Sequence, residues 1–176
     1  SGNYEPFLYK TKDYGKTWTK IVSGIAEEHF TRVVRADPEK RGMLYAGTET
    51  AMYYSKDDGG SWHSLQLNLP IVSITDLAIK DNNLIAATQG RAFWIIDDLT
   101  VLHQAEPTIN TKSLHLFKPQ DSYSMDGVKR SSLTEGTNRP GGVLVYSYLK
   151  ELPKEELNIE FFDSKNQKLR EFSTKG

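Results

Sequence analysis

The 176-residue sequence contains no cysteine, which removes disulfide staples, thiol nucleophiles and thiolate metal sites together. Long apolar runs are missing as well. The longest, Ala92 to Ile96, is five residues, against the roughly 20 that a membrane-spanning helix needs. Lysines and arginines never run beyond a pair, and the formal net charge is −1 with both signs interspersed. Neither a nucleic-acid footprint nor attraction to an anionic membrane is expected from that pattern. The four histidines, His29, His63, His103 and His115, stand apart, with no His-x-His or His-Glu-x-x-His spacing. No metal site and no cofactor is expected on that account. Asp81-Asn82-Asn83 lacks the alternating oxygen ligands and distant Glu of a calcium loop, and reads as turn chemistry. Initiator Met and signal segment are also lacking, so the chain is expected to be a piece of a longer protein.

What is present is a repeated turn. Thr11-Lys12-Asp13-Tyr14-Gly15-Lys16-Thr17-Trp18 recurs 44 residues later as Ser55-Lys56-Asp57-Asp58-Gly59-Gly60-Ser61-Trp62. Both copies read [Ser/Thr]-x-Asp-x-Gly-x-x-Trp between β-prone runs. The carboxylate can accept N–H groups of its own turn, and the glycine supplies a positive φ without a Cβ clash. The tryptophan opens the returning strand and can lay its ring over the hairpin.

Around these turns the chain falls into short strands. Phe7–Lys10 and Trp18–Val22 flank the first turn, and Thr31–Ala36, Met43–Gly47, Ala51–Ser55 and Trp62–Leu67 make a complete set of four. Four short strands in about 44 residues is the size of one propeller blade. The pattern continues: Leu44–Thr48 aligns with Leu84–Thr88, and Tyr54–Asp58 with Trp94–Asp98, both at an offset of 40. Upstream, Val33 aligns with Leu77 and Ala36 with Lys80 at an offset of 44. On this alignment Asp97 takes the place of Asp57, and the motif then decays, with no tryptophan following. Leu114–Phe117 is a further strand that could supply the outer strand the last unit lacks. Residues 121–142 have linker composition, rich in Asp, Ser, Gly, Thr and Asn. Val143–Leu149 is apolar on both pleat faces and reads as a sandwich-core strand, and Leu157–Phe162 and Lys168–Phe172 flank a five-residue hairpin loop.

The repeated turn resembles the Asp-box of bacterial-neuraminidase-type (BNR) repeats, found in sialidases and sortilin-type propellers. Gly90–Leu102 closely resembles the last-blade segment of large bacterial repeat proteins, and Gly141–Lys150 the start of their C-terminal Ig-like domain. Those proteins carry the labels glycosyl hydrolase or sortilin-N-terminal-like and often have export signals. The resemblance implies an all-β chain: closing blades of an Asp-box β-propeller over residues 1–120, a linker over 121–142, and an incomplete Ig-like β-sandwich over 143–176. It also implies an extracellular or periplasmic, bacterial location. Members commonly have His before the Gly-Arg pair, where this chain has Gln89.

In a blade, the Asp-turns lie on one face and the other turns and crossovers on the opposite, usual ligand face. That second face would carry Glu27, Glu28, His29, Glu49, Thr50, Gln89 and Arg91 as a polar rim. The structural set of the boxes is Thr11, Asp13, Gly15 and Trp18, then Ser55, Asp57, Gly59 and Trp62, and Asp97. No catalytic residue is assigned: Arg32, Arg35, Arg41 and Arg91 form no sialidase-like triad, and no Tyr-Glu pair stands out. Trp94, in mid-strand, is expected in the core. The expected role is recognition or scaffolding, with upstream propeller blades of the same chain and a peptide or glycan as partners. The alternative is part of a glycoside hydrolase, sialidase- or glucanase-like, whose carboxylates lie mostly elsewhere. Incomplete cover of Leu8, Tyr9, Trp18, Tyr146, Tyr148 and Phe161 is expected, and with it self-association.

Overall fold

The computed structural model describes residues 4–122 and 142–174, and within them the chain is all-β, built from antiparallel pairs with little helix. It separates into two compact regions, Ser1–Leu99 and Thr100–Gly176, each described by itself.

The first region holds three successive units. Strands β1 (Tyr9–Lys10) and β2 (Thr19–Lys20) form a two-stranded hairpin. Strands β3 (Thr31–Ala36), β4 (Leu44–Thr48), β5 (Met52–Ser55) and β6 (His63–Ser64) form a four-stranded sheet in sequence order. Strands β7 (Ile74–Lys80), β8 (Asn83–Thr88) and β9 (Phe93–Ile96) form a three-stranded sheet. The middle strands β4 and β5 are buried on both faces, Tyr45 and Ala46 alike. Ala46 and its cross-strand partner Tyr53 join Leu8, Ile25, Ala51 and Trp62 in one apolar cluster, with Ile21, Val22 and Leu44 against it. That cluster fuses the first unit to the second. Gly47 fuses the second to the third: a Cβ there would lie 2.5 Å from Ile74 and 2.8 Å from Val33. Arg35 reinforces the junction, donating to the Leu77 carbonyl (3.0 Å) and pairing with Asp76.

The pairing corrects the internal alignment. Thr31 and Val33 pair with Thr48 and Gly47 across a bulge, and Ile74 and Asp76 pair with Thr88 and Ala87 across the same bulge. The offset in the first strand is therefore 43, and Val34, not Val33, corresponds to Leu77. Between the second and third strands the loop of the third unit is one residue longer. Thr48 N–H donates to Ala51 O, but Thr88 N–H donates to Ala92 O. Leu44 pairs with Ser55 and Leu84 with Ile96, so the offset from there on is 41.

In the second region a helix α1 (Thr100–Gln104) and a 3-10 turn (Pro107–Thr111) precede strand β10 (Leu114–Leu116). β10 pairs with β11 (Ser147–Leu149), Leu114 opposite Leu149. The expectation that this strand would complete the third unit is thus overturned. So is the long strand from Val143, since pairing covers only Ser147–Leu149. Strands β12 (Asn158–Phe162) and β13 (Lys168–Ser173) form the expected hairpin, whose turn Asp163 holds by accepting N–H groups of Lys165 and Gln167, both at 2.8 Å. Of the linker expected over 121–142, residues 123–141 lie outside the described residues. No helix among the described residues is long and apolar enough to cross a membrane.

Candidate functional site

The two Asp-turns repeat bond for bond. Asp13 Oδ1 accepts the Thr17 N–H at 2.8 Å and its Oδ2 the Thr17 hydroxyl at 2.6 Å; Thr11 Oγ1 accepts the Gly15 N–H at 2.8 Å. Asp57 does the same with Ser61 at 2.8 and 2.7 Å, and Ser55 with Gly59 at 2.9 Å. Gly15 and Gly59 take φ of +89° and +87°, as the turn requires. The side-chain and backbone donors of Thr17 and Ser61 hold both carboxyls down at about 2. These aspartates are committed to the turn. In the third unit Asp98, not Asp97, stands at the position of Asp57, because of the extra loop residue. It accepts from Asn82 Nδ2 at 3.0 Å.

The tryptophans differ. Trp62 is 3% exposed and reaches back to the first unit, Nε1 donating to Ile21 O at 2.8 Å and its N–H to Ser23 O at 2.8 Å. Trp18 is 60% exposed and bonds its own turn, Nε1 to Gly15 O at 3.1 Å. Tyr9 at 52% and its counterpart Tyr53 at 6% show the same contrast. Leu8, expected to be uncovered, is buried, since it faces the second unit; Tyr146, Tyr148 and Phe161 are half-buried.

The rim residues do not act as one set. Glu27, Glu28, Gln89 and Arg91 are exposed. His29 is tied by Nδ1 to the Tyr53 hydroxyl at 2.7 Å. Glu49 is engaged by Arg32 and by Ser73 Oγ (3.0 Å), and these bonds, the Arg32 one foremost, hold its carboxyl below the usual range. Thr50 donates its N–H to Thr48 Oγ1, and Gln89 its N–H to Ser73 O. Of this set, His29, Glu49 and Gln89 fasten crossovers to the neighbouring hairpins. Sequence reading missed a second fastening, Asp37. Its carboxylate takes the N–H groups of Glu39 and Lys40 (both 2.9 Å) and the buried Tyr45 hydroxyl (2.8 Å). Burial, then the Asp37 bond, raises the Tyr45 hydroxyl far above its ordinary range. An Asp-Pro start to a loop was the available signal.

A cleft lies between the second and third units, about 310 Å³ including its open mouth. Its walls are Met52, Leu65 and Leu69 on one side and Leu84, Ala86 and Trp94 on the other. Trp94, expected in the core, is a half-buried wall of this cleft, its Nε1 held by Arg91 O at 2.9 Å. Beside the cleft β9 is the last strand of its sheet, with Phe93 74% exposed. Among the described residues no cluster of three metal-ligating side chains occurs. Compared with known proteins, the chain matches no family model and no curated protein.

Proposed function

We propose that this chain comprises the closing blades of an Asp-box β-propeller and the start of an Ig-like module, and that it serves recognition, with peptide as ligand. The observation that carries this reading is the cleft between the second and third units. It is walled mainly by Leu, Met, Ile, Ala and Trp, with the amides Gln66 and Asn68 and no carboxyl pair, and it adjoins a strand edge. Apolar walls beside backbone donors and acceptors suit a side chain on an extended peptide. Glycoside hydrolysis calls for one carboxyl held protonated beside an ionised one. Glu49, on the polar rim, is occupied by Arg32 and Ser73, which hold it ionised. The uncovered Tyr9 and Trp18 face supports upstream blades as partners of the first unit. An exported location goes with the same reading.

The test presents one labelled preparation of the chain to a peptide array and a glycan array, and separately to chromogenic glycosides. Selective capture by peptides with aromatic residues is expected, with no glycoside turnover. Turnover that survives purification, or capture by glycans alone, would overturn the reading.

A further inference from the structure

The cleft reproduces most of the seat of Trp62, with Gln66 in place of Val22 and the exposed Ala92 in place of Ala51. In that seat Trp62 belongs to a buried cluster with Leu8, Ile25, Ala46 and Tyr53, and with Ile21 and Leu44 packed on it. The register between the first two units makes Met52 the counterpart of Leu8, since Leu65 N–H donates to Met52 O as Ile21 N–H donates to Leu8 O, both at 2.8 Å. Leu65 then corresponds to Ile21, and Leu69 to Ile25; Leu69 N–H donates to Gln66 O as Ile25 N–H does to Val22 O. On the opposite wall Ala86 pairs with Trp94 as Ala46 pairs with Tyr53, and Leu84 with Ile96 as Leu44 with Ser55. The third unit has this seat but no tryptophan of its own: no Trp follows Asp98 in the sequence.

The missing ring goes with a missing strand. In the second unit the tryptophan enters on β6, which pairs along β5 with Tyr53 opposite Ser64 and Tyr54 opposite His63. Trp94 and Ile95 hold those places on β9, and among the described residues no strand pairs with β9 on that side. An open strand edge recruits another strand, main-chain bonds giving affinity and side-chain pockets specificity. The cleft also continues the interface already formed between the second and third units.

We propose that the outer edge of β9 and the adjoining cleft bind an extended, tryptophan-bearing peptide segment of a partner protein. The peptide adds antiparallel to β9 as a fourth strand, and its indole enters between Met52 and Leu65 on one wall and Ala86 and Trp94 on the other. The fitting pattern is that of Trp62-His63-Ser64-Leu65: an indole, two polar residues, then an aliphatic one. The chain's own three tryptophans are all placed elsewhere. A second copy could offer only Trp18 in exposed form, and the strand after it, Thr19–Lys20, pairs with β1 along the edge that β6 turns to β5. This proposal rests on the peptide-recognition reading above and assigns that function its site and its residue.

The experiment titrates the 176-residue chain by calorimetry with a synthetic peptide of Asp58–Leu67 and with the same peptide carrying Ala for Trp62. A third peptide has the amides of His63 and Ser64 methylated. Saturable binding is expected for the first, with affinity at least tenfold lower for each of the others. Leu65→Asp in the protein, placing a charge on the cleft wall, should weaken the first peptide by a similar factor. Ile71→Asp, at an exposed position that does not line the cleft, should leave it within about twofold; circular dichroism checks that both variants remain folded. If they do not, the peptide series alone decides. No binding at millimolar peptide, or equal binding of the Trp and Ala peptides, overturns the proposal. If aromatic peptides bind but Leu65→Asp has no effect in a folded protein, the site is wrong while the recognition reading stands. Self-association that Trp18→Ala abolishes would make a second copy the occupant and would equally overturn it.

Discussion

One residue type, tryptophan, shows how position in the repeat decides energetics. Trp62 and Trp18 occupy the same place in the same motif, yet Trp62 is buried against the preceding unit and Trp18 is not. Truncating a buried large aromatic costs about 3–5 kcal/mol, through lost transfer and an unfilled cavity. Trp62→Ala should therefore lower stability by about that much, and Trp18→Ala by less than about 1 kcal/mol. Urea denaturation of the two variants checks this; equal losses would contradict the packing. The turn aspartates make a second prediction. Asp13 and Asp57 sit at about 2 in the folded chain, held there chiefly by Thr17 and Ser61. A depressed carboxyl stabilises fully above its unfolded value of about 3.9, and that contribution is lost as pH falls through about 2. Acid titration should show stability falling between about pH 4 and 2. Asp57→Asn should flatten that fall and cost about 1 kcal/mol at neutral pH, a modest figure because the group is solvent-screened.

At the scale of the element, the hairpins were legible in the sequence and the register was not. The spacing of Asp13 and Gly15, and of Asp57 and Gly59, marks turns that depend on local chemistry, and the structure keeps the carboxylate bonds to Thr17 and Ser61, while Trp62 packs on the preceding unit and not over its own hairpin. Register depends on loop length and bulges instead. One extra residue between Thr88 and Ala92 moves the equivalence from Asp97 to Asp98, and the bulge common to both first strands shows polar Asp76 at the place of Val33. Such shifts leave residue identity uninformative, because a one-residue slip exchanges the faces of a strand. β10 failed for a related reason: an apolar Leu-His-Leu run pairs with any compatible edge, and the edge it found is β11. The crossover between the first two units makes a sharper prediction. Gly24 has φ +96°, and a Cβ there would lie 2.2 Å from Trp62 O. Gly24→Ala should destabilise by more than about 1 kcal/mol, from strain and from displacement of the Trp62 backbone, and a thermal melt reads it.

For the molecule as a whole, each completed junction joins an apolar surface of one unit to that of the next, and the proposed function rests on where the series stops repeating. The polar rim of Glu27, Glu28, His29, Glu49, Thr50, Gln89 and Arg91 is the ligand face expected from the sequence, because loops carry function. In the structure His29 and Glu49 are occupied in holding neighbouring segments together. The cleft escaped sequence reading because its walls are ordinary core residues, distinguished only by the tryptophan that fails to follow Asp98. Hydrogen–deuterium exchange of the chain, with and without the Asp58–Leu67 peptide, tests this most directly. Protection on binding should rise at Phe93–Ile96 and Leu65–Leu69 and stay unchanged elsewhere. Protection confined to 27–29, 49–50 and 89–91, with Phe93–Ile96 exchanging as before, would contradict the account.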